Sequence, residues 1–396
     1  MNYNILSLDG GGSWSILQLL TLKEKYGDIA GHDILKKFDM VIANSGGSIV
    51  LAALAENWTL SQALGLFDSP EIRQQIFSVN SFWERFFPID YFRLFISFGP
   101  KYSTAKKAQA FAELFPNINR RQMRELPDFI GNPELKLIVC AYDALNKRAK
   151  FFRSYGDSER FESVRLTEAI HASSNAPVQY FDFPAHFKDN SRKINYELWD
   201  GAVAGFNNPV TAGVIEAFKA GVDLGTVKVV SLGTGNKLMS AADKKTYCEL
   251  NYRTQRYKSQ KWNLLSLNTQ RRYFCNNMIN QANSILDDPP DWANYVTYMF
   301  LQTGGTEDLQ QRFIRLSPLI YQTKNSEPAV KELVRQLYAL DMDLTDRADM
   351  DLIKQCFTEW AAGNILNQPI SYHLDKDDCV QHVRGDKYFA DALAKW

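Results

Sequence analysis

Short apolar runs alternate with helically spaced ones through the first 240 or so residues of this 396-residue chain, and that alternation limits the fold more than any other feature. Runs such as "YNILSL", "FDMVIAN", "ELKLIVCAYDA", "AKFFRSY" and "TVKVVSLGTG" are short, apolar and closed by turn signals, as strands are. Between them "SWSILQLLTLKEKYG", "GSIVLAALAENW", "RLTEAIHASS" and "NPVTAGVIEAFKAG" carry helical spacing, with Gly27 as a stop and Pro209 near a first turn. Strands that alternate with helices are buried between helical layers, so the expected class is a layered α/β sheet. "ELKLIVCAYDA" and "AKFFRSY" read as an antiparallel pair joined through "LNKR", and "TVKVVSLGTG" as the last strand. After about residue 327 the pattern turns helical, and the last thirty or so residues are polar and give no clear signal. The chain shows no internal repeat.

Two stretches depart from the pattern. "FWERFFPIDYFRLFISF" (82–98) holds eight aromatics, inside an expected insertion at about 68–115. It reads equally as a lid that meets a lipid surface or as a helical insertion packed on the core. Residues 244–272 are mostly basic, with Tyr247, Tyr252, Tyr257 and Trp262 interleaved. A solvated helix with buried aromatics is favoured there over a headgroup or RNA site.

Composition narrows the classes. The formal net charge is zero, so no global field draws the chain to nucleic acid or anionic membrane. Cys140, Cys248, Cys275, Cys356 and Cys379 are odd in number and widely spaced, which argues against a disulfide framework or zinc site. No spanning helix and no signal peptide is visible, so a cytoplasmic protein is expected, with leaderless export into another cell left open.

Three segments carry chemistry-bearing residues. "ANSGGS" sets Ser45 at a strand-to-helix turn, with small Ala43 and Gly47 two positions away on either side. That is the layout of a nucleophile elbow, although small residues also occur at such turns for packing. Ser48 is the rival, but bulky Val50 stands two positions after it. "SLDGGGSW" presents Gly10, Gly11 and Gly12 at a strand end, where backbone N–H groups can cradle a phosphate or a developing oxyanion. It is not a P-loop, because no Gly-Lys-Ser/Thr follows. "LWDGAVAGFNNP" places Asp200 at a strand end, aimed into a site or capping a turn.

Taken in order, these segments resemble the patatin-like phospholipase family. D-G-G-G, F-D-x-x-x-x-x-S-x-G and D-G-A followed by N-N-P match, and so do "AIHASSNAPVQYF" and "VSLGTG". Agreement covers roughly the first 240 residues and continues more weakly through "RFIRLSPLI". The resemblance implies a three-layer α/β/α patatin-like fold with a central, mostly parallel sheet, akin to a modified α/β-hydrolase. It implies a domain over 1–326 with a helical extension and tail at 327–396. It implies a lipid acyl hydrolase of phospholipase A or lysophospholipase type, with Ser45 as nucleophile and Asp200 as its base. Gly10, Gly11, Gly12 and Gly46 would form the oxyanion hole. The substrate would be a phospholipid or other lipid ester met by transient membrane contact, with no cofactor, no metal and no need of nucleic acid.

A serine–aspartate dyad works without histidine, so the carboxylate itself takes the serine proton. An exposed aspartate, with a pKa near 3.9, is a poor base, and burial in an apolar pocket improves the match. None of His32, His171, His186, His373 and His382 lies in a motif that demands it, and His171 reads as structural. The chain departs from D-G-G-G-x-R-G at Trp14 and Ser15, and from the elbow pattern at Ala43 and Ser48. The missing arginine leaves the bracing of the glycine loop unassigned. The alternatives are a catalytically impaired lipid-binding or regulatory relative, and a nucleotide- or phosphate-binding α/β domain.

Overall fold

A computed structural model of the chain describes residues 2–76, 101–156, 163–177, 180–189, 194–238, 291–305, 308–321, 326–340, 347–375 and 380–396. The aromatic stretch 82–98, the basic stretch 244–272 and Cys248, Cys275 and Cys379 lie outside the described residues.

Among the described residues eight strands form one sheet: β1 (Tyr3–Leu8), β2 (Met40–Ala43), β3 (Lys136–Asp143), β4 (Arg148–Arg153), β5 (Ala185–Asp189), β6 (Ile194–Asp200), β7 (Val227–Leu232) and, after a two-residue β8 (Asn236–Lys237), β9 (Phe313–Leu316). The order is β5-β6-β3-β2-β1-β7-β9, with β4 also paired to β3. β3, β2, β1, β7 and β9 run parallel, whereas β4 and β6 oppose β3 and β5 opposes β6. The β3–β4 hairpin is the antiparallel pair expected from sequence. The main helices are α1 (Ile16–Tyr26), α2 (Ser45–Ala55), α3 (Leu60–Asp68), α4 (Pro70–Ile76), α5 (Thr104–Leu114), α6 (Leu166–Ser173), α7 (Val210–Lys219), α8 (Asp291–Gln302), α9 (Pro328–Tyr338), α10 (Arg347–Ala361) and α11 (Phe389–Lys395).

Side chains alternate across a strand, so each strand feeds two cores. Leu6, Leu8, Val41, Ala43, Leu137, Val139, Val230, Leu232, Ile314 and Leu316 face one layer, with α1 to α6 and α9 to α11. Ile5, Met40, Ile42, Ile138, Cys140, Val227, Val229 and Phe313 face the other, with α7 and α8. The strands are therefore buried on both sides, and the fold is three-layered α/β/α.

The sheet departs from the sequence expectation at one edge. "TVKVVSLGTG" is not the last strand, because β9 adds parallel to β7. Its "FIRL" is only four residues long, and Arg315 breaks the apolar run that would have marked it. The polar tail is also structured. Ser371–Leu374 and Val380–Arg384 form an antiparallel hairpin, and α11 buries Phe389 and Ala392. Helices α9 and α10, expected as an extension, pack into the same core as α1 and α3.

Register brings two distant strand ends together. Val139 pairs with Ala43 of β2 and with Phe152 of β4, so β2 and β4 take opposite edges of β3. Ala141 pairs with Asp200 of β6 and with Lys150 of β4. β6 therefore shares the edge used by β2 and meets it end to end, two residues further along β3. The sequence turns of interest all fall here. The glycine loop follows β1, Ser45 follows β2 and Asp200 closes β6. β1 also has β2 on one side and β7 on the other, the kind of switch point where open α/β sheets bind ligands.

Candidate active site

Ser45 begins α2 with φ of +48°, a left-handed conformation that is rare for a non-glycine residue. Gly47 must be glycine for the turn to close: a Cβ there would lie 2.5 Å from the Leu8 carbonyl oxygen and 2.6 Å from that of Asp9. Ala43 needs no such space, because its methyl is buried among the core residues beneath the sheet. Ser48 does not compete with Ser45. It is buried, and its Oγ donates to the Ser45 carbonyl at 2.6 Å, closing the first turn of the helix.

Asp200 is 2% exposed. Its Oδ1 accepts from the Ala202 N–H at 2.9 Å and from Asn44 Nδ2 at 3.1 Å. The Ser45 side chain also bears on this carboxylate, lowering its proton affinity. Capping and site-facing roles, which sequence leaves as alternatives, thus coexist. Burial raises the Asp200 pKa above the ordinary carboxylate range, opposed by the hydrogen bonds from Ala202 and Asn44, by Ser45 and by the charge of Lys107.

The "ASSNAP" segment, whose role the sequence left unassigned, holds both residues. Ser173 Oγ accepts the Ser45 N–H at 2.9 Å, and the Asn175 carbonyl accepts the Asp200 N–H at 3.1 Å. Lys107 was also missed. Its buried ammonium donates to the His171 carbonyl at 3.1 Å and to Ser174 Oγ at 3.4 Å, and sits 3.8 Å from the centre of the Phe181 ring. Burial drives its pKa far down. One of two adjacent lysines (Lys106 and Lys107) in a helical stretch gives no sequence signal for this. Burial, followed by Lys107, likewise pushes His171 well below its usual range, and its ring does not line the cavity.

The glycine loop lies opposite. Gly10 donates its N–H to the Asn207 carbonyl at 2.7 Å, so that group is already engaged. Gly11 and Gly12 donate no backbone hydrogen bond among the described residues, and Gly46, in the first turn of α2, has no intrahelical acceptor. Gly12 has φ of +55°, and a Cβ on Gly46 would lie 2.8 Å from the Gly12 nitrogen. The two N–H groups are therefore near neighbours.

Among the described residues these groups line a cavity of roughly 530 Å³, counting its open mouth. Gly11, Gly12, Ser45, Gly46, Asp200 and Lys107 border it, and Ile49, Ile76, Ala176, Tyr180 and Phe181 make it largely apolar. Among the described residues no group of three or more His, Cys, Asp or Glu side chains is placed to hold a metal ion, and no helix is long and apolar enough to cross a membrane.

A family model for patatin-like phospholipase matches residues 6–214. No curated protein matches. The crystal structure of VipD from Legionella pneumophila is similar at 10% identity, covering 90% of this chain and 67% of that one, with a TM-score of 0.33, too low to build on. The family match spans more than half of the chain and includes the glycine loop, the elbow and Asp200. The chain therefore belongs to the patatin-like phospholipase family, and so to the lipid acyl hydrolases in general.

Proposed function

We propose that the protein is a lipid acyl hydrolase of phospholipase A or lysophospholipase type working through Ser45 and Asp200. The observation that carries this reading is the left-handed Ser45, which borders one apolar cavity together with the buried carboxylate of Asp200. Asp200 accepts the serine proton as Oγ attacks the acyl carbonyl. The oxyanion is received by the N–H groups of Gly11, Gly12 and Gly46, while Gly10, its donor engaged, anchors the loop. Asp200 then protonates the leaving alcohol, and water repeats the cycle on the acyl-enzyme. The apolar wall suits an acyl chain, and a lipid ester presented at a membrane surface is the proposed substrate. In the same reading residues 1–326 are the hydrolase domain and 327–396 its extension. Against the alternative of a relative without turnover, this reading is supported by the Ala43 methyl fitting the core and by Gly11 and Gly12 donating no backbone hydrogen bond among the described residues.

A fluorophosphonate probe should label the wild type and fail to label Ser45→Ala. On mixed phospholipid vesicles, mass spectrometry should find free fatty acid and lysophospholipid with the wild type alone. A folded wild type that neither labels nor releases fatty acid would overturn the reading.

A further inference from the structure

Four glycine-rich residues cannot hold their own shape, yet oxyanion donors act only from fixed positions. Position 14, where the family pattern has arginine, is Trp14, a core residue here. The cation that meets the loop comes from β9, outside the family-matched segment. Arg315 Nη2 lies 2.6 Å from Asp9 Oδ2, and both side chains are almost wholly buried. The guanidinium is itself held on its other sides. Nη1 donates to Ser231 Oγ at 2.7 Å, and Nε and Nη2 reach Gln368 Oε1 at 3.1 and 2.9 Å.

The same contacts give the "SLGTG" turn a role. Ser231 receives Arg315, and a Cβ on Gly233 would stand 2.5 Å from Arg315 Nη2, so glycine leaves room for the guanidinium. Thr234 Oγ1 donates to the Gly10 carbonyl at 2.7 Å. Gln18 Nε2 ties the Asp9 and Leu232 carbonyls together at 2.8 and 3.1 Å. Asp9 Oδ1 has no hydrogen-bond partner among the described residues, so the guanidinium is what balances this carboxylate.

Resting on the function proposed above, we infer that Arg315, oriented by Gln368 and Ser231, is the positioning residue that fixes the oxyanion loop through Asp9. It touches no substrate. It sets where the Gly11 and Gly12 donors stand, so its loss acts on transition-state stabilisation and shows in kcat more than in KM. The hydrolase core therefore depends on residues well beyond 214.

The test uses the full chain, with kcat referred to sites titrated by fluorophosphonate. Arg315→Met should lower kcat by about ten- to a hundredfold, short of deleting a donor, with KM within about threefold. Arg315→Lys, which keeps the charge, should recover a substantial part. Because Arg315→Met leaves a buried carboxylate without a cation, its kcat should fall further as pH rises and Asp9 ionises. Asp9→Asn/Arg315→Met should lose that pH dependence and exceed Arg315→Met alone. Should Arg315→Met not fold, Gln368→Leu, which releases the guanidinium, should lower kcat several-fold with KM held. Wild-type kcat in folded Arg315→Met (or in Gln368→Leu, if that is the variant measured) would overturn the inference and leave the dyad reading intact. So would a double variant no better than Arg315→Met. A wild type that neither labels nor turns over would overturn both.

Discussion

Asp9 and Asp200 invite comparison. Both follow or close a strand at the same rim of the sheet, both are almost fully buried, and desolvation raises the pKa of both. Their partners differ. Asp9 has a guanidinium at 2.6 Å and, opposed by it, is still pushed up to about 6. Among the described residues Asp200 accepts from the neutral donors Asn44 and Ala202, and Lys107 acts on it through its charge. A buried carboxylate in contact with a cation is an anchor, because breaking the pair leaves a charge stranded. One held by neutral donors keeps the capacity to take a proton. On the proposed mechanism, the contacting partner distinguishes brace from base when burial does not.

The sharpest way to break this comparison is to neutralise each aspartate in turn. Asp200→Asn should lower kcat by about a thousandfold or more while near-UV circular dichroism stays native, since an amide can still accept from Ala202 but takes no proton. Asp9→Asn should cost much less. Equal losses would erase the distinction. The pH profile sharpens it further. Asp200 accepts a proton only when ionised, and its pKa is raised. The acid limb of kcat/KM should therefore lie above the ordinary aspartate range near 3.9, activity rising with pH through it.

A smaller effect is expected where the base side is merely held in place. Ser173→Ala removes the acceptor of the Ser45 N–H and should reduce kcat about three- to tenfold, read by steady-state kinetics with active-site titration. The smallest belongs to the elbow residue that departs from the family. Ala43→Gly should keep activity within about twofold, and should lower stability by about 1 kcal/mol in chemical denaturation, through a lost buried methyl and added backbone freedom. A large gain in activity would mean that the alanine does strain the turn.

Much of the sheet could be read in advance. β1, β2, β3 and β7 stood out as short apolar runs because both of their faces are buried. β9 did not, because a buried arginine interrupts four residues that would otherwise read as apolar. The tail hairpin did not, because its exposed strand Ser371–Leu374 has no buried face to leave a pattern. At the site, Ser45 was visible from the small residues around it and Asp200 from its strand end. Ser173, Asn175, Lys107 and Arg315 were not, since each acts through a contact with a residue far away in the chain. The missing arginine at position 14 shows the same limit. Its absence could be seen in the sequence, but the cation that meets the loop instead could not.

The amino-acid order alone specifies the alternating elements, the glycine loop and the serine turn, because each depends on the conformational preferences of residues within a few positions. Folding decided that β6 meets β2 end to end along one edge of β3, which of two buried aspartates met a cation, and that the Gly10 N–H was taken by Asn207. Those outcomes depend on which groups remain to satisfy one another once water is excluded, and that is settled by packing across the whole chain.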